Sequence, residues 1–309
     1  MAAIEKDRRV KLAFIVAAYN AEPYLARALD SVLRQSGDNW ELIVVDDGST
    51  DATYALACQY ASRDGRVRVF HQANTGAANA RNTAIEHVSA DFVAYLDADD
   101  ELADDYLASM LGLMNDYPDR DIYSSDGLFI EADGTTQVVL GYDGVVNVSI
   151  EDLLQECWIL GGGALIRTDA LRALGGFREH LYGEDYDLWM RALAAGYTHV
   201  GTPEPLYRYH RDVSGRKSED PEAGRASAAT ALKDLIESGT LTRAQVRQAR
   251  ARVHWYAHHE KSERRIDRLR GYGRRLLGDR LFNTARGIAR SLIRAVRPRR
   301  RPSSDGGTR

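Results

Sequence analysis

Two aspartates separated by one residue, Asp97 and Asp99, directly follow a short apolar run from Phe92 to Leu96. Two carboxylates in such an extended turn can both reach one hard divalent cation, Mg²⁺ or Mn²⁺, and leave room for the phosphate oxygens of a ligand. A solvated acidic turn explains the same pair, and an Asp-x-Asp motif alone is weak. The preceding apolar run favours a metal site, because a strand there would place both carboxylates in a cleft.

A second acidic pair, Asp46 and Asp47, ends the apolar run from Glu41 to Val45 and precedes Gly48 and Ser49. A carboxylate at the end of a strand can accept a hydrogen bond from a pyrimidine N–H or from a ribose hydroxyl. Glycine permits a sharp turn at this point, and serine can cap the following helix. The pattern therefore predicts a strand–turn–helix junction, and contact with a nucleoside is an additional hypothesis.

Small residues from Gly76 to Ala80 precede Arg81 in the stretch HQANTGAANARN. Small side chains let the N-terminus of a helix approach a ligand closely, and the guanidinium offers a fork of donors to a diphosphate or a base. A tightly packed helix that carries a surface arginine explains the pattern equally well. Both interpretations place a helix here.

A third acidic pair, Glu184 and Asp185, opens a predicted helix. Carboxylates in a first turn complement the helix dipole, which is a sufficient structural explanation. The functional alternative is a general base above an acceptor hydroxyl, which the dipole would keep ionised. Arg191 lies six residues beyond Asp185 and is expected to point elsewhere, into a structural ion pair.

The elements around these residues alternate between short apolar runs and amphipathic helices. This alternation predicts an α/β fold with a parallel sheet, in which ligands bind at the carboxyl ends of the strands. The polar loops that follow the strands should therefore converge on one cleft. The predicted strands are Lys11–Ala17, Glu41–Val45, Val67–His71 and Phe92–Leu96, the helices between them are Pro23–Gln35, Thr50–Ala61 and Gly76–His87, and Ile122–Val148 is a predicted β-rich insertion.

The stretches IVVDDGSTD, NARN, LDADD and GEDYDLWMR occur in this order, and together they resemble family 2 glycosyltransferases of the GT-A fold over Leu12 to Ser214. The resemblance implies a Rossmann-like, mostly parallel sheet flanked by helices, and an inverting transfer from a nucleotide-diphosphate sugar to an acceptor hydroxyl. It implies Asp185 as the catalytic base, with Glu184 as the second choice. It implies donor contacts from Ala17, Tyr19, Asn20, Asp46, Asp47, Asn74, Gly76, Arg81, Asp97 and Ala98, and a Mn²⁺ or Mg²⁺ ion on Asp99 and Asp97.

His210 lies in a segment, Tyr207 to Ser214, that resembles the closing loop of this family. It is a candidate metal or phosphate ligand, and an ordinary loop histidine is the alternative. Two departures from the family pattern matter. The first loop reads Ala17-Ala18-Tyr19-Asn20 where many relatives have Pro-x-Tyr-Asn, and the Gln-x-x-Arg-Trp box of processive relatives is missing, which favours transfer of a single sugar.

Other classes of protein explain parts of the pattern. Glycoside hydrolases also use paired carboxylates, but they need neither a nucleotide cleft nor an Asp-x-Asp motif at a strand end. A nicotinamide-dependent oxidoreductase would carry GxGxxG after the first strand, which this chain lacks. A non-catalytic protein that binds nucleotide sugars remains open, and turnover would distinguish it from the enzyme.

The composition of the 309 residues, 44% hydrophobic and 28% charged, is typical of a globular protein. No apolar run is long enough to span a bilayer, and no apolar signal core follows the charged N-terminus, so we expect a cytoplasmic protein. The only cysteines are Cys58 and Cys157, which fits a reduced compartment and excludes a Cys/His metal site.

The net charge of −4 conceals a basic C-terminal part, with 20 Lys and Arg against 5 Asp and Glu from Arg243 onwards. Arginines and apolar residues alternate from Arg274 to Arg301 at the spacing of a basic amphipathic helix. This helix either packs on the domain or attaches peripherally, through 271–301, to the anionic inner face of the plasma membrane, near a lipid-linked or other saccharide acceptor. Nucleic acid is not expected, because the acidic body would repel it. The predicted parts are a catalytic domain at 1–215, a helical extension at 216–297 and a disordered tail at 298–309.

Overall fold

The computed structural model describes residues 10–179, 181, 183–211 and 220–258. From Leu12 to Tyr95, strands and helices alternate, as the sequence predicts. Residues 243–258 are also helical. The elements in chain order are β1 (Leu12–Ala18), α1 (Glu22–Leu33), β2 (Trp40–Asp46), α2 (Thr53–Arg63), β3 (Val67–His71), α3 (Ala77–His87), β4 (Phe92–Tyr95), β5 (Glu101–Leu102), α4 (Tyr106–Asp116), β6 (Ile122–Ile130), β7 (Thr136–Val138), α5 (Ile150–Leu153), β8 (Leu165–Arg167), α6 (Thr168–Ala173), α7 (Glu184–Ala194), β9 (His199–His210) and α8 (Pro221–Glu237).

One sheet contains the described strands, in the order β3-β2-β1-β4-β8-β6-β9-β5, with β7 paired to β6. The first four strands in this order are parallel, as predicted. Beyond β4 the pairing is mixed, because β8 is antiparallel to both β4 and β6 while β9 is parallel to β6. Strands as short as β5 and β8 carry too few residues for a period to show in the sequence.

Helices cover both faces of the sheet because the central strands carry apolar side chains on both faces. Ala13 and Ile15 of β1 face the core that α3, α6 and α7 close. Leu12 and Phe14 of the same strand face the core that α1 and α4 close. All seven residues of β2 are buried, as expected for a central strand of a parallel sheet. The predicted α/β sheet flanked by helices is therefore confirmed.

Most predicted boundaries differ from the structure by one or two residues, but α2 begins three residues later than predicted. Two backbone N–H groups ahead of it are taken by side chains from the loop after β1 and from the first residue of α1: Thr50 N donates to Asn20 Oδ1 at 2.9 Å, and Ala52 N donates to Glu22 Oε2 at 3.1 Å. These bonds hold residues 50–52 in a loop and so delay the helix. Tertiary contacts between two loops thus set this boundary.

The predicted β-rich insertion contains β6, the short β7 and a loop that a buried carboxylate anchors. Asp126 accepts hydrogen bonds from the backbone N–H groups of Leu140 at 2.9 Å and Gly141 at 2.7 Å. It also accepts from the N–H groups of Gly127 and Tyr142. A buried carboxylate needs such donors to offset its desolvation, so Asp126 is a structural acid that the sequence analysis did not single out.

The first part of the predicted C-terminal extension packs on the sheet domain. Leu232 and Leu235 of α8 and Ala249 of the following helical segment are buried in the core beside α7. Arg178 connects the two parts, with its Nη1 atom 3.0 Å from Asp234 and 3.4 Å from Asp187. The predicted basic helix at 274–301 and the tail at 298–309 lie outside the described residues. Among the helices that the structure does describe, none has the length and apolar character needed to cross a membrane.

Candidate functional site

Polar loops meet at the carboxyl edge of the parallel strands. Ala18, Asp46 and His71 lie side by side in the register of β1, β2 and β3, at the end of each strand. The loops that follow β1, β2 and β4 leave from this edge, and the start of β8 reaches it from the opposite direction because β8 is antiparallel to β4. These loops therefore lie where the ligand site of an open α/β sheet is expected.

Asp46 is fully buried, and only one of its carboxylate oxygens has a hydrogen-bond donor within the described part of the chain. His71 Nδ1 donates to Oδ2 at 2.7 Å, and Ser49 N donates to the same oxygen at 3.3 Å. The other oxygen, Oδ1, is closed to solvent and unsatisfied. A buried carboxylate oxygen without a donor is costly, so a ligand N–H or hydroxyl at this point would relieve that cost.

Asp47 uses both carboxylate oxygens within the chain. Gln72 Nε2 donates to Oδ1 at 2.8 Å, Thr75 N donates to Oδ1 at 3.0 Å, and Gly76 N donates to Oδ2 at 2.8 Å. This carboxylate therefore holds the loop that leads from β3 into α3. In this geometry the Asp47 carboxylate positions Gly76 and the loop that carries the exposed Asn74. A direct contact of Asp47 with a nucleoside stays a prediction.

Gly48 lets the two loops touch. Its φ angle is +74°, and a Cβ atom there would lie 2.7 Å from the backbone nitrogen of Asn74. Any other residue would push the loop after β3 away from the end of β2.

The loop after β1 is tied to the loop after β2 by Asn20. Its backbone N–H donates to Ser49 Oγ at 2.9 Å, and its side-chain oxygen accepts from Thr50 N. Asn20 adopts a φ of +46°, which asparagine tolerates better than most residues. Its neighbour Tyr19 is 51% exposed, so this ring is available to a ligand, whereas Ala17 is half-buried.

Arg81 is buried and bridges two carboxylates. Its Nη2 atom donates to Asp97 Oδ1 at 2.6 Å, and its Nη1 atom donates to Glu184 Oε1 at 2.5 Å. Burial disfavours the charged guanidinium, but the carboxylates of Asp97 and Glu184 outweigh it and hold the pKa of Arg81 above its usual value. The interpretation of Arg81 as a surface arginine is therefore wrong. Contact with a diphosphate stays a prediction, because both terminal nitrogens already have partners here.

Both aspartates of the Asp-x-Asp segment are half-buried, and a fully buried aspartate follows them. Asp97 has a side chain that is 36% exposed, next to the small, buried Ala98. Asp99 accepts a hydrogen bond on its backbone oxygen from Arg27 Nη2 at 2.5 Å. Asp100, which the sequence analysis did not select, is fully buried and accepts from Tyr207 Oη at 2.7 Å. Asp100 thus joins this loop to β9.

Metal ligation by His210 is not preformed. Its Nε2 atom lies 3.3 Å from Glu101 Oε1, and its backbone N–H donates to Asp100 Oδ1. In the part of the chain that the structure covers, no three His, Cys, Asp or Glu side chains are grouped so that they could hold a metal ion. These contacts favour an anchoring role for His210, and its role as a ligand stays a prediction. Asp97 and Asp99 still supply the hard oxygen atoms that Mn²⁺ and Mg²⁺ prefer.

Asp185 lies at the N-terminus of α7, half-buried, with a donor on each oxygen. Tyr95 Oη donates to Oδ2 at 3.2 Å, and Tyr186 N donates to Oδ1 at 2.8 Å. Burial, and next the negative charge of Glu184, raise the pKa of Asp185. The helix dipole alone would favour the ionised form and lower the pKa of Asp185, but burial and the charge of Glu184 outweigh it. Because Glu184 is paired with Arg81, the geometry favours Asp185 as the base.

A run of glycines at 161–163 lies against these groups. A Cβ atom on Gly161 would overlap the Tyr95 hydroxyl and the Asp185 carboxylate, and one on Gly162 would overlap the ring of Tyr207. Neither Tyr95 nor Tyr207 was predicted from the sequence as a site residue. The available signal was the position of Tyr95 at the end of the apolar run before the Asp-x-Asp segment.

Comparisons of sequence place this arrangement among known proteins. The family described as glycosyl transferase family 2 matches residues 13–140, and glycosyl transferase family group 2 matches residues 92–216. The putative glycosyltransferase EpsH of Bacillus subtilis is 31% identical over 64% of this chain and 61% of its own length. The putative teichuronic acid biosynthesis glycosyltransferase TuaG of the same organism is 31% identical over 63% of this chain and 77% of its own. A third relative, GlyA of Streptococcus pneumoniae, is 34% identical, and only 23% of its length is matched.

Solved structures share the fold. Residues 1–349 of S. aureus TarS in complex with UDP-GlcNAc align with a TM-score of 0.68 and 21% identity, over 81% of this chain and 73% of that one. The mannosyltransferase PcManGT from Pyrobaculum calidifontis, in complex with GDP-Man and Mn²⁺, aligns with a TM-score of 0.60 and 19% identity, over 94% and 86% of the chains. The predicted GT-A architecture is thereby confirmed.

Proposed function

This chain belongs to glycosyl transferase family 2, and on that premise we propose that it transfers one sugar from a nucleotide-diphosphate sugar to an acceptor hydroxyl. The observation that carries the proposal is the buried bridge of Arg81, which joins Asp97 to Glu184. Asp97 lies on the predicted donor side, and Glu184 is next to the predicted base, Asp185. The bridge would therefore keep the donor site and the base at a defined separation, as a displacement reaction requires.

The nucleoside is expected at the end of β2. The unsatisfied Oδ1 atom of Asp46 offers an acceptor for a base N–H or a ribose hydroxyl, once neighbouring side chains shift to admit the ligand. The exposed ring of Tyr19 can stack on a base. TarS and PcManGT are solved with UDP-GlcNAc and GDP-Man, which supports a donor of this class. The full set of proposed donor contacts is Ala17, Tyr19, Asn20, Asp46, Asp47, Asn74, Gly76, Arg81, Asp97 and Ala98.

A divalent cation fits the end of β4. Asp97 and Asp99 would hold Mn²⁺ or Mg²⁺ through hard oxygen ligands, with His210 as a further candidate. Bound there, the ion would neutralise negative charge on the departing nucleoside diphosphate. PcManGT is solved in complex with Mn²⁺ as well as GDP-Man, which supports this assignment by analogy.

Asp185 is the proposed general base of a single displacement. It takes the proton of the acceptor hydroxyl while that oxygen forms a bond with the anomeric carbon. The bond between this carbon and the diphosphate oxygen breaks, and the diphosphate leaves with the electron pair. Attack from the face opposite the leaving group inverts the anomeric centre. The raised pKa of Asp185 makes its ionised form a stronger base than an ordinary aspartate.

The acceptor is proposed to be a saccharide or a lipid-linked saccharide of a cell-surface polysaccharide. This rests on the name of TuaG, which refers to teichuronic acid biosynthesis. The proposed catalytic domain is 1–215, and the extension at 216–297 begins with helices that pack on it. Peripheral attachment through 271–301, at the cytoplasmic face of the membrane, would bring the cleft to such an acceptor.

A panel of UDP, GDP, CDP and dTDP sugars with Mn²⁺ tests the donor class, with thermal shift and release of nucleoside diphosphate as readouts. We expect one nucleotide to raise the melting temperature and its sugar to be turned over. Absence of any thermal shift across the panel would contradict the proposed donor. Stabilisation without release, in the presence of saccharide acceptors, would favour the non-catalytic binding protein.

A further inference from the structure

Tyr95 connects the end of β4 to the N-terminus of α7. Its hydroxyl donates a hydrogen bond to Asp185 Oδ2 at 3.2 Å, between residues that are 90 positions apart in the chain. Tyr95 is buried, and its hydroxyl has this carboxylate as the partner that the structure describes. The contact therefore fixes one oxygen of the Asp185 carboxylate, which is proposed to take the proton of the acceptor hydroxyl.

Two side chains hold the ring of Tyr95, and the sheet and a neighbouring loop hold its backbone. The guanidinium carbon of Arg81 lies 4.3 Å from the ring centroid, and the ring of Phe177 meets it edge-on, with centroids 5.6 Å apart. The backbone oxygen of Tyr95 accepts from Gly163 N at 3.0 Å. Tyr95 is the last residue of β4 and pairs with Ile15 of β1 in the sheet. The hydroxyl thus has little freedom to leave Asp185.

Gly161 permits the contact. A Cβ atom at this position would overlap both the Tyr95 hydroxyl and the Asp185 carboxylate. A glycine is therefore required for reasons of space at the one point where the two side chains meet.

We propose that Tyr95 is a positioning residue, whose hydroxyl orients the Asp185 carboxylate toward the acceptor hydroxyl during sugar transfer. Each carboxylate oxygen can accept two hydrogen bonds, so the bond from Tyr95 leaves acceptor capacity for the incoming hydroxyl. A phenolic hydroxyl can donate and an ionised carboxylate can only accept, so the hydrogen bond runs from Tyr95 to Asp185. The inference rests on the proposed function, because it assumes that Asp185 is the base.

The test compares Tyr95→Phe with wild-type protein, using the nucleotide sugar that the four-nucleotide panel selects, Mn²⁺ and saturating acceptor. Removing the hydroxyl while keeping the ring should lower kcat by about tenfold to a hundredfold, the range expected for a hydrogen bond to a charged group. The KM for the donor and the nucleotide Kd from calorimetry should stay unchanged, because the donor side does not contact this hydroxyl.

Tyr123→Phe is the matched control. Tyr123 is buried as well, and its hydroxyl donates to the backbone oxygen of Tyr117 at 2.7 Å, away from Asp185. The Tyr123→Phe variant should lose about as much stability as Tyr95→Phe and should keep the wild-type kcat. Gly161→Ala is a second, independent variant that retains both partners and should lower kcat at least as far as Tyr95→Phe.

Asp185→Asn, measured in parallel, distinguishes a failure of the role proposed for Tyr95 from a failure of Asp185 as the base. Wild-type kcat in Tyr95→Phe, combined with a large loss in Asp185→Asn, would overturn the role of Tyr95 and leave the proposed function intact. Wild-type turnover in Asp185→Asn would instead overturn the assignment of the base. A raised donor KM at unchanged kcat in Tyr95→Phe would also overturn the inference, because Tyr95 would then act on donor binding.

Discussion

Arg81 Nη1 and Glu184 Oε1 lie 2.5 Å apart in a buried ion pair between residues 103 positions apart in the chain. The second terminal nitrogen of the same guanidinium binds Asp97. One arginine on α3 therefore holds together the end of β4 and the start of α7, which carry the predicted metal ligand and the predicted base. Removal of Arg81 is therefore expected to destabilise the fold around the candidate site.

Arg81→Met should destabilise the protein by about 3–5 kcal/mol, because it leaves Glu184 buried without its counter-charge. Arg34→Ala is the control, since Arg34 is 45% exposed and pairs with the exposed Asp104 and, at 3.6 Å, with Glu101, and pairs of an exposed arginine are worth about 0–1 kcal/mol. Urea denaturation measures the free energy of unfolding of both. Equal losses in the two variants would contradict a special role for the buried bridge.

Asp185→Asn should bind nucleotide as the wild type does and lose turnover by about 10²–10⁴-fold, the usual contribution of a general base. In the wild type, turnover should fall as the pH decreases through the raised pKa of Asp185, at a higher pH than for an ordinary aspartate, because the base must be ionised. A pH–rate profile measures this fall. A profile that stays flat down to the usual aspartate range would argue against Asp185.

Asp99→Ala should lower transfer by about a hundredfold or more, since loss of a metal ligand removes several kcal/mol of charge stabilisation at the diphosphate. Chelation of the wild type should give a similar loss, and added Mn²⁺ should restore the rate. Circular dichroism and melting temperature check that the variant is folded. A variant that keeps the wild-type rate in the presence of chelator would refute the metal role.

His199 should make stability depend on pH. Its Nδ1 atom accepts from Val148 N at 3.1 Å, so the neutral ring carries its proton on Nε2 and donates to Ser124 Oγ at 2.8 Å. Burial, and next the charge of Arg120, lower the pKa of His199 from 6.5 to about 3. The unfolded chain then binds a proton below pH 6.5 that the folded chain does not bind until about pH 3.

The contribution of His199 is thus fully present above pH 6.5 and decreases with falling pH, by at most about 1.4 kcal/mol per unit. The free energies of unfolding of wild type and His199→Asn, measured from pH 7 to pH 4, should converge as the pH falls. Parallel curves would show that His199 titrates normally in the folded state.

The proposed peripheral attachment would depend on residues 271–309, most of which belong to the predicted basic amphipathic segment. The full chain should sediment with anionic vesicles, less so at high salt, and a chain ending at residue 270 should not. Neutral vesicles serve as the control. Equal sedimentation of both chains, or of neither, would argue against the membrane hypothesis.

The sequence alone was sufficient for the parallel half of the sheet and for the loops that line the cleft. Strand β3 runs from Val67 to His71 as predicted, and the Asp-x-Asp segment follows β4 as expected. These features depend on periods of apolar residues within a single element, which neighbours in sequence encode. The four ordered motifs likewise identified the family.

Tertiary structure alone decided which partners these carboxylates have within the chain. Asp47, Asp100 and Glu184 look like their neighbours Asp46, Asp99 and Asp185 in the sequence, and only the folded chain brings loop N–H groups, Tyr207 and Arg81 to them. Those partners lie 28 to 107 positions away, and only the packing of strands, helices and loops brings them together. The same reason hid Tyr95: its hydroxyl meets Asp185 through the folding of β4 against α7, a contact that no local period can encode.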